Sequence, residues 1–145
     1  MESLVRRLVR CFSRKQNGLE SGNRTGWQTD RLQEALDRWV AAKGYWKPHR
    51  TLYETAKDLG VDGFLLYHYF RDILHVDFRT WRTRLRLEDA CRLLLEEPGT
   101  CAADIALRVG FSNRSNFARQ FRARLGCTPG EWRRKSPEFL LSLHD

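Results

Sequence analysis

The chain repeats itself once. Ala56 and Gly60 recur as Ala106 and Gly110, from 56 to 106, an offset of 50. Leu66, Phe70, Leu74 and Trp81 recur as Phe117, Phe121, Leu125 and Trp132 at an offset of 51, one residue having been added in the turn. Register kept over these landmarks requires the stretches Thr51 to Trp81 and Cys101 to Trp132 to fold to one plan. Only two copies are present, so they form a duplicated module and not a solenoid, in which at least three units stack to bury a continuous core.

The plan is helical. Leu32, Leu36, Trp39 and Val40 place an apolar stripe on a helix from about Asp30 to Lys43, with Gly44 as its stop. Thr51 and Glu54 form a capping box, in which side chain and backbone satisfy each other's free amides. The helix they open carries Leu52, Ala56 and Leu59, and Gly60 ends it; a second helix then runs from about Asp62 to Leu74. The longest helix starts from an Asp77 cap and carries Phe78, Trp81, Leu85, Leu87, Ala90, Leu94 and Leu95 to Glu97, where Pro98 and Gly99 stop it. The second copy follows with a helix from about Cys101 to Val109, the turn Gly110-Phe111-Ser112, and a helix from about Asn113 to Leu125. Thr128, Pro129 and Glu131 supply a cap, a first-turn proline and a capping-box carboxylate for a last short helix through Trp132.

Strand signals are nearly absent. The expected fold is all-α: two helix-turn-helix subdomains joined by a long linker helix, homeodomain-like, with about seven helices. The expected divisions are a basic N-terminal segment and flexible linker (1–28), the first subdomain (29–76), the linker helix (77–98), the second subdomain (99–136) and a tail (137–145).

Charge narrows the partners. The chain of 145 residues holds 26 Lys and Arg against 18 Asp and Glu, a formal charge of +8, which favours phosphate-bearing partners or an anionic membrane surface. The excess lies at the ends: 6 basic and 2 acidic residues in 1–28, 12 and 12 in 29–98, and 8 and 4 in 99–145. In residues 1–15, Leu4, Val5, Leu8, Val9 and Phe12 make a stripe ringed by Arg6, Arg7, Arg10, Arg14 and Lys15. A frayed basic tail is the favoured reading of this short segment, with a membrane surface or the DNA backbone as alternatives. The same arginines interrupt any signal peptide, and no apolar run approaches the roughly 20 residues that span a bilayer. Cys11, Cys91, Cys101 and Cys127 are widely spaced without zinc-site partners, which fits small buried thiols in the reducing cytoplasm.

The chemistry belongs on the second helix of each copy. In helix-turn-helix proteins that helix enters the DNA major groove, where outward side chains meet base edges. With Phe117, Phe121 and Leu125 inward, Arg114, Ser115, Asn116 and Arg119 turn outward, and Arg and Asn are suited to guanine and adenine edges respectively. Arg122 and Arg124 lie further along and fit phosphates, and Thr51, Arg86 and Asn113 are placed in the same phosphate-contacting set. The plain alternative is a solvated basic face.

The first copy is less basic. With Leu66, Tyr69 and Phe70 inward, its outward set is Phe64, Tyr67 and His68, matched to thymine methyls and other base edges, and Arg71, matched to phosphate. Exposed aromatics also mark protein interfaces, so a partner protein such as RNA polymerase is the alternative for this face. The linker helix from about Phe78 to Glu97 is about 30 Å long, close to the roughly 34 Å turn of DNA, so one chain is expected to set two recognition helices into successive major grooves.

Residues 30–135 resemble the DNA-binding domain of the AraC/XylS family of bacterial transcription regulators. The resemblance rests on Asp104-Ile105-Ala106, Val109-Gly110-Phe111-Ser112, Phe117-Ala118-Arg119, Phe121, Gly126 and Thr128-Pro129-Gly130-Glu131-Trp132-Arg133, with Leu85-Arg86-Leu87-Glu88-Asp89-Ala90 and Arg92-Leu93-Leu94-Leu95 in the linking helix. It implies sequence-specific binding of double-stranded DNA by a two-motif monomer that usually activates transcription, in the bacterial cytoplasm on the nucleoid. His68 stands where the family often has Arg, and His75 where it often has Gly. No small-molecule effector site is evident, and about 28 residues precede the core where the family usually carries an effector or dimerisation domain, so the expectation is a stand-alone regulator or a piece of a longer one.

No enzyme is expected. His49, His68, His75 and His144 have no nucleophile or paired carboxylate arrangement, and no glycine loop cradles phosphate. His68, Asp72 and His75 fall at i, i+4 and i+7, but three lone ligands read as separate groups near a helix end, so no metal and no cofactor are assigned.

Overall fold

A computed structural model describes residues 25–134, with side chains from residue 29. The expectations for residues 1–24, including the membrane alternative, and for the tail 137–145 lie outside the described residues. The elements are α1 (Thr25–Ala41), a 3-10 turn (Gly44–Trp46), α2 (Leu52–Leu59), α3 (Gly63–His68) continued by a π-helical turn (Tyr69–Leu74), α4 (Phe78–Glu96), α5 (Ala102–Arg108) and α6 (Arg114–Leu125). A last helix, α7, occupies residues 129–134, and no strand occurs among the described residues. The all-α expectation holds.

The helix starts follow their caps. Thr51 Oγ1 accepts from Glu54 N at 3.2 Å while Glu54 Oε2 accepts from Thr51 N at 2.8 Å. Asp62, Asp77 and Asn113 accept from Leu65 N, Thr80 N and Asn116 N. Thr128 and Glu131 complete the second box, at 3.1 and 3.3 Å. Each cap satisfies amides that the first helical turn leaves open.

α1 departs from expectation at both ends. It begins at Thr25, inside the stretch expected to be a linker, because a helix nucleated by packed turns extends at one hydrogen bond per residue fixed. At its other end Lys43, not Gly44, takes the left-handed conformation, at φ 58°. Gly44 is glycine for space: a Cβ there would enter the indole ring of Trp39.

Two compact units result, residues 25–44 with 50–81, and residues 45–49 with 82–134. In the first, Leu32, Leu36, Trp39, Ala56, Leu66, Phe70, Leu74 and Phe78 are buried. Trp39 stacks on Trp81 with ring centroids 6.0 Å apart, and Phe70 meets Trp81 edge-on at 5.0 Å. In the second, Ile105, Ala106, Val109, Phe111, Phe117 and Phe121 close on Leu87, Ala90, Leu93 and Leu94 of α4. Burying each such large side chain contributes about 1.5–3 kcal/mol against chain entropy.

The segment Tyr45–His49 was not foreseen as part of the second unit. Arg86 of α4 holds it by donating Nε to Tyr45 O at 2.6 Å and Nη2 to Lys47 O at 2.8 Å. The buried Asp89 carboxylate accepts from Tyr45 OH and, at 2.8 Å, from Trp46 Nε1. Gly110, at φ 108°, lies against this strap, and a Cβ on it would be 2.5 Å from Trp46 O and 2.7 Å from Arg86 Nε.

Candidate nucleic-acid interface

α6 carries the most basic surface. Burial of Phe117 and Phe121 turns Arg114, Ser115 and Arg119 to solvent, with Arg122 and Arg124 exposed further along and Asn116 half-buried. The helix contains no Asp or Glu. Among the described residues none of its four arginines makes an ion pair, whereas Arg71, Arg92 and Arg108 are neutralised by Asp72, Glu96 and Glu97 at 2.8, 2.9 and 2.8 Å. Guanidinium groups without an ion-pair partner keep donors for phosphate or base edges.

Two details were hidden in the sequence. Arg119 Nη2 donates to Asn116 Oδ1 at 2.9 Å, so these residues act as a pair, a relation that their i, i+3 spacing allows. Arg84 of α4, absent from the sequence-derived set, lies near Arg124: burial first and the Arg84 charge second push the Arg124 pKa down. Arg84 itself is half-buried, and its Nε has no hydrogen-bond partner among the described residues. Two like charges this close make a place suited to a phosphate, with Glu88 offsetting part of the Arg84 effect on Arg124.

Arg86 corrects the sequence reading. It was placed among the phosphate-contacting residues, yet it is 6% exposed and spends its donors on the Tyr45 and Lys47 carbonyls. Burial, then the charge of Arg82, holds its pKa down to about 10. Helical periodicity gives no reason to bury an arginine, and the partner carbonyls come from an irregular segment with no pattern of its own. Arg86 is therefore a fold residue. Thr51 and Asn113 stand exposed at the N-caps of α2 and α6, with their side-chain oxygens already accepting from Glu54 and Asn116 amides.

The first motif presents aromatic surface. Phe64 is 66% exposed and Tyr67 43%, and the His68 ring lies edge-on to both, with centroids 4.2 and 5.4 Å away. Arg71 lies over the Tyr67 ring at 5.6 Å while its Nε donates to Asp72 at 2.8 Å. Arg71, then His68, hold the Asp72 carboxyl below the usual range. The Arg71 charge is thus matched by an anion beside it. Tyr53, 64% exposed, lies on Gly63, where a Cβ would overlap its ring, and extends the aromatic surface. Tyr69 is buried as expected, its pKa pushed up to about 12, mainly by burial. His68 and Asp72 bond at 3.2 Å, and His75 ends the helix in the left-handed region at φ 52°.

The cysteines divide. Cys91 and Cys127 are half-buried against the second core, but Cys101 is exposed at the N-cap of α5, contrary to the expectation of buried thiols. The cap position sits outside the helix's apolar face, which explains its exposure.

The paired helices, tight turns and exposed arginines define a helix-turn-helix protein with two motifs. Residues 55–135 match a family model described as a helix-turn-helix domain. Among curated relatives, the virulence regulon transcriptional activator VirF of Yersinia enterocolitica is 32% identical over 78 residues, 54% of this chain and 28% of VirF. The C-terminal domain of AraT, a response regulator from Geobacillus stearothermophilus, superposes with a TM-score of 0.63 at 27% identity, covering 72% of this chain and 84% of that domain. A transcriptional regulator with an AraC-type DNA-binding domain from Chromobacterium violaceum gives 0.60 at 26%, covering 77% and 95%. The chain belongs to the AraC-type helix-turn-helix family. It spans 28% of the length of the curated relatives it matches.

Proposed function

We propose that the chain binds double-stranded DNA in a sequence-specific way and regulates transcription, as an activator, in the bacterial cytoplasm. The observation that carries this reading is the set of unpaired arginines on α6, the second helix of a helix-turn-helix motif. In this reading α6 lies in the major groove with Arg114, Ser115, Asn116 and Arg119 on base edges, and Arg122, Arg124 and Asn113 on phosphates. α3 enters a neighbouring turn of the groove, with Phe64, Tyr67 and His68 on bases, and Arg71 and Thr51 on the backbone. Arg114→Ala and Arg119→Ala each cost about 1–3 kcal/mol of specific binding and relax base preference at one position. Specific binding unchanged in both variants would refute this assignment of the reader helix.

A second reading is favoured by the charge-matched aromatic face of Tyr53, Phe64 and Tyr67. There α3 docks a protein, RNA polymerase being the natural partner of an activator, and only the second motif reads DNA. The double change Phe64→Ala, Tyr67→Ala separates the two: loss of DNA affinity supports α3 as a reader, while intact affinity with lost activation supports docking.

A further inference from the structure

We infer that α6 selects guanine, and that Asn116 holds Arg119 in place for this instead of pairing with adenine; the inference rests on the DNA-binding reading above. Arg119 Nη2 donates to Asn116 Oδ1 at 2.9 Å, and the Asn116 backbone amide is fixed by Asn113 Oδ1 at 2.7 Å. To hold adenine, an asparagine uses both ends of its amide, accepting from the N6 amino group and donating to N7. Here the accepting end already carries a guanidinium. That oxygen keeps a second lone pair, but the Arg119 N–H groups beside it stand where the adenine amino group would approach, and donor meets donor.

Guanine reverses the fit. Its O6 and N7 both accept, matching the Asn116 NH2 and the N–H groups that Arg119 keeps after giving one to Asn116. Arg114 adds donors only, and the Ser115 hydroxyl serves either role. With no Asp or Glu on α6, no carboxylate there accepts from the cytosine amino group. Donors dominate the outward face and select an edge of acceptors, which adjacent guanines provide. Holding Arg119 before DNA arrives also reduces the rotamer entropy lost on binding. Asn116 is thus a positioning residue for Arg119.

The test uses the full chain and the duplex it enriches from a random pool. The box read by α6 is the one at which Arg119→Ala weakens binding and relaxes base preference. Each guanine in it is replaced by 7-deazaguanine, which keeps base pairing and removes the N7 acceptor, and each adenine by 7-deazaadenine. Two adjacent guanines are expected each to lose about tenfold in affinity, the equivalent of one good base contact. The adenine replacements are expected to leave affinity unchanged, and Asn116→Ala to weaken the box while keeping its guanine preference. An adenine whose replacement weakens the natural chain but not Asn116→Ala overturns the inference, as does a box without guanine. If no sequence is enriched from the pool, the DNA-binding reading itself falls.

Discussion

Arg86→Met is expected to weaken the second unit and to spare DNA binding, because the guanidinium that looks like a phosphate ligand is spent inside the fold. It donates at 2.6 and 2.8 Å to Tyr45 O and Lys47 O. Hydrogen bonds from a charged donor contribute about 1.5–3 kcal/mol each, and both carbonyls lose their partner when Met replaces Arg. Against this, the buried charge has a cost of its own, seen in the pKa held down to about 10 by burial and by Arg82, and Met recovers part of it. The net loss is about 2–4 kcal/mol. For a unit of this size that is a fall in Tm of roughly 10–30 °C. Urea unfolding followed by tryptophan fluorescence gives the midpoint, and DNA affinity is measured in the cold, where the variant remains folded. An unchanged midpoint together with weakened DNA binding would return Arg86 to the phosphate-contacting set and refute the reasoning.

Three further substitutions test the packing and the turns. Gly110→Ala is expected to cost about 3 kcal/mol or more, since φ is 108° and the new Cβ would be 2.5 Å from Trp46 O; an unfolding midpoint within error of the natural chain would contradict that geometry. His75→Gly is expected to stabilise the first unit by about 1 kcal/mol, because the position has φ 52° and its counterpart Gly126 has φ 74°, and a lower Tm would count against it. Thr55→Val is expected to stabilise by about 1 kcal/mol, since the Thr55 hydroxyl is fully buried with no partner among the described residues, where the second copy has Ile105. Calorimetry showing destabilisation by that change would reveal a partner for the hydroxyl.

The sequence disclosed what periodicity and caps can carry. Leu66, Phe70 and Leu74, with Phe117 and Phe121, lie where the helical repeat put them, and each capping box formed. What it hid depends on contacts without a repeat. The strap Tyr45–His49 joins the second unit through Arg86 and Asp89, about forty residues away, and no local pattern announces such a partner. The π-helical turn Tyr69–Leu74 is likewise silent, although the copies shared one spacing from Leu66 to Leu74 and from Phe117 to Leu125. Outward directions on α6 followed from burial of Phe117 and Phe121, but the Asn116–Arg119 bond depends on rotamers, which spacing permits and does not dictate.

The most direct test of the account is a footprint of the full chain on the duplex it enriches from a random pool, repeated with Arg119→Ala. The account predicts two protected boxes about one helical turn apart, protection of the box assigned to α6 requiring higher protein concentration in the variant. A single box would remove α3 as a DNA reader, and a footprint unchanged by Arg119→Ala would contradict the claim that α6 reads the bases.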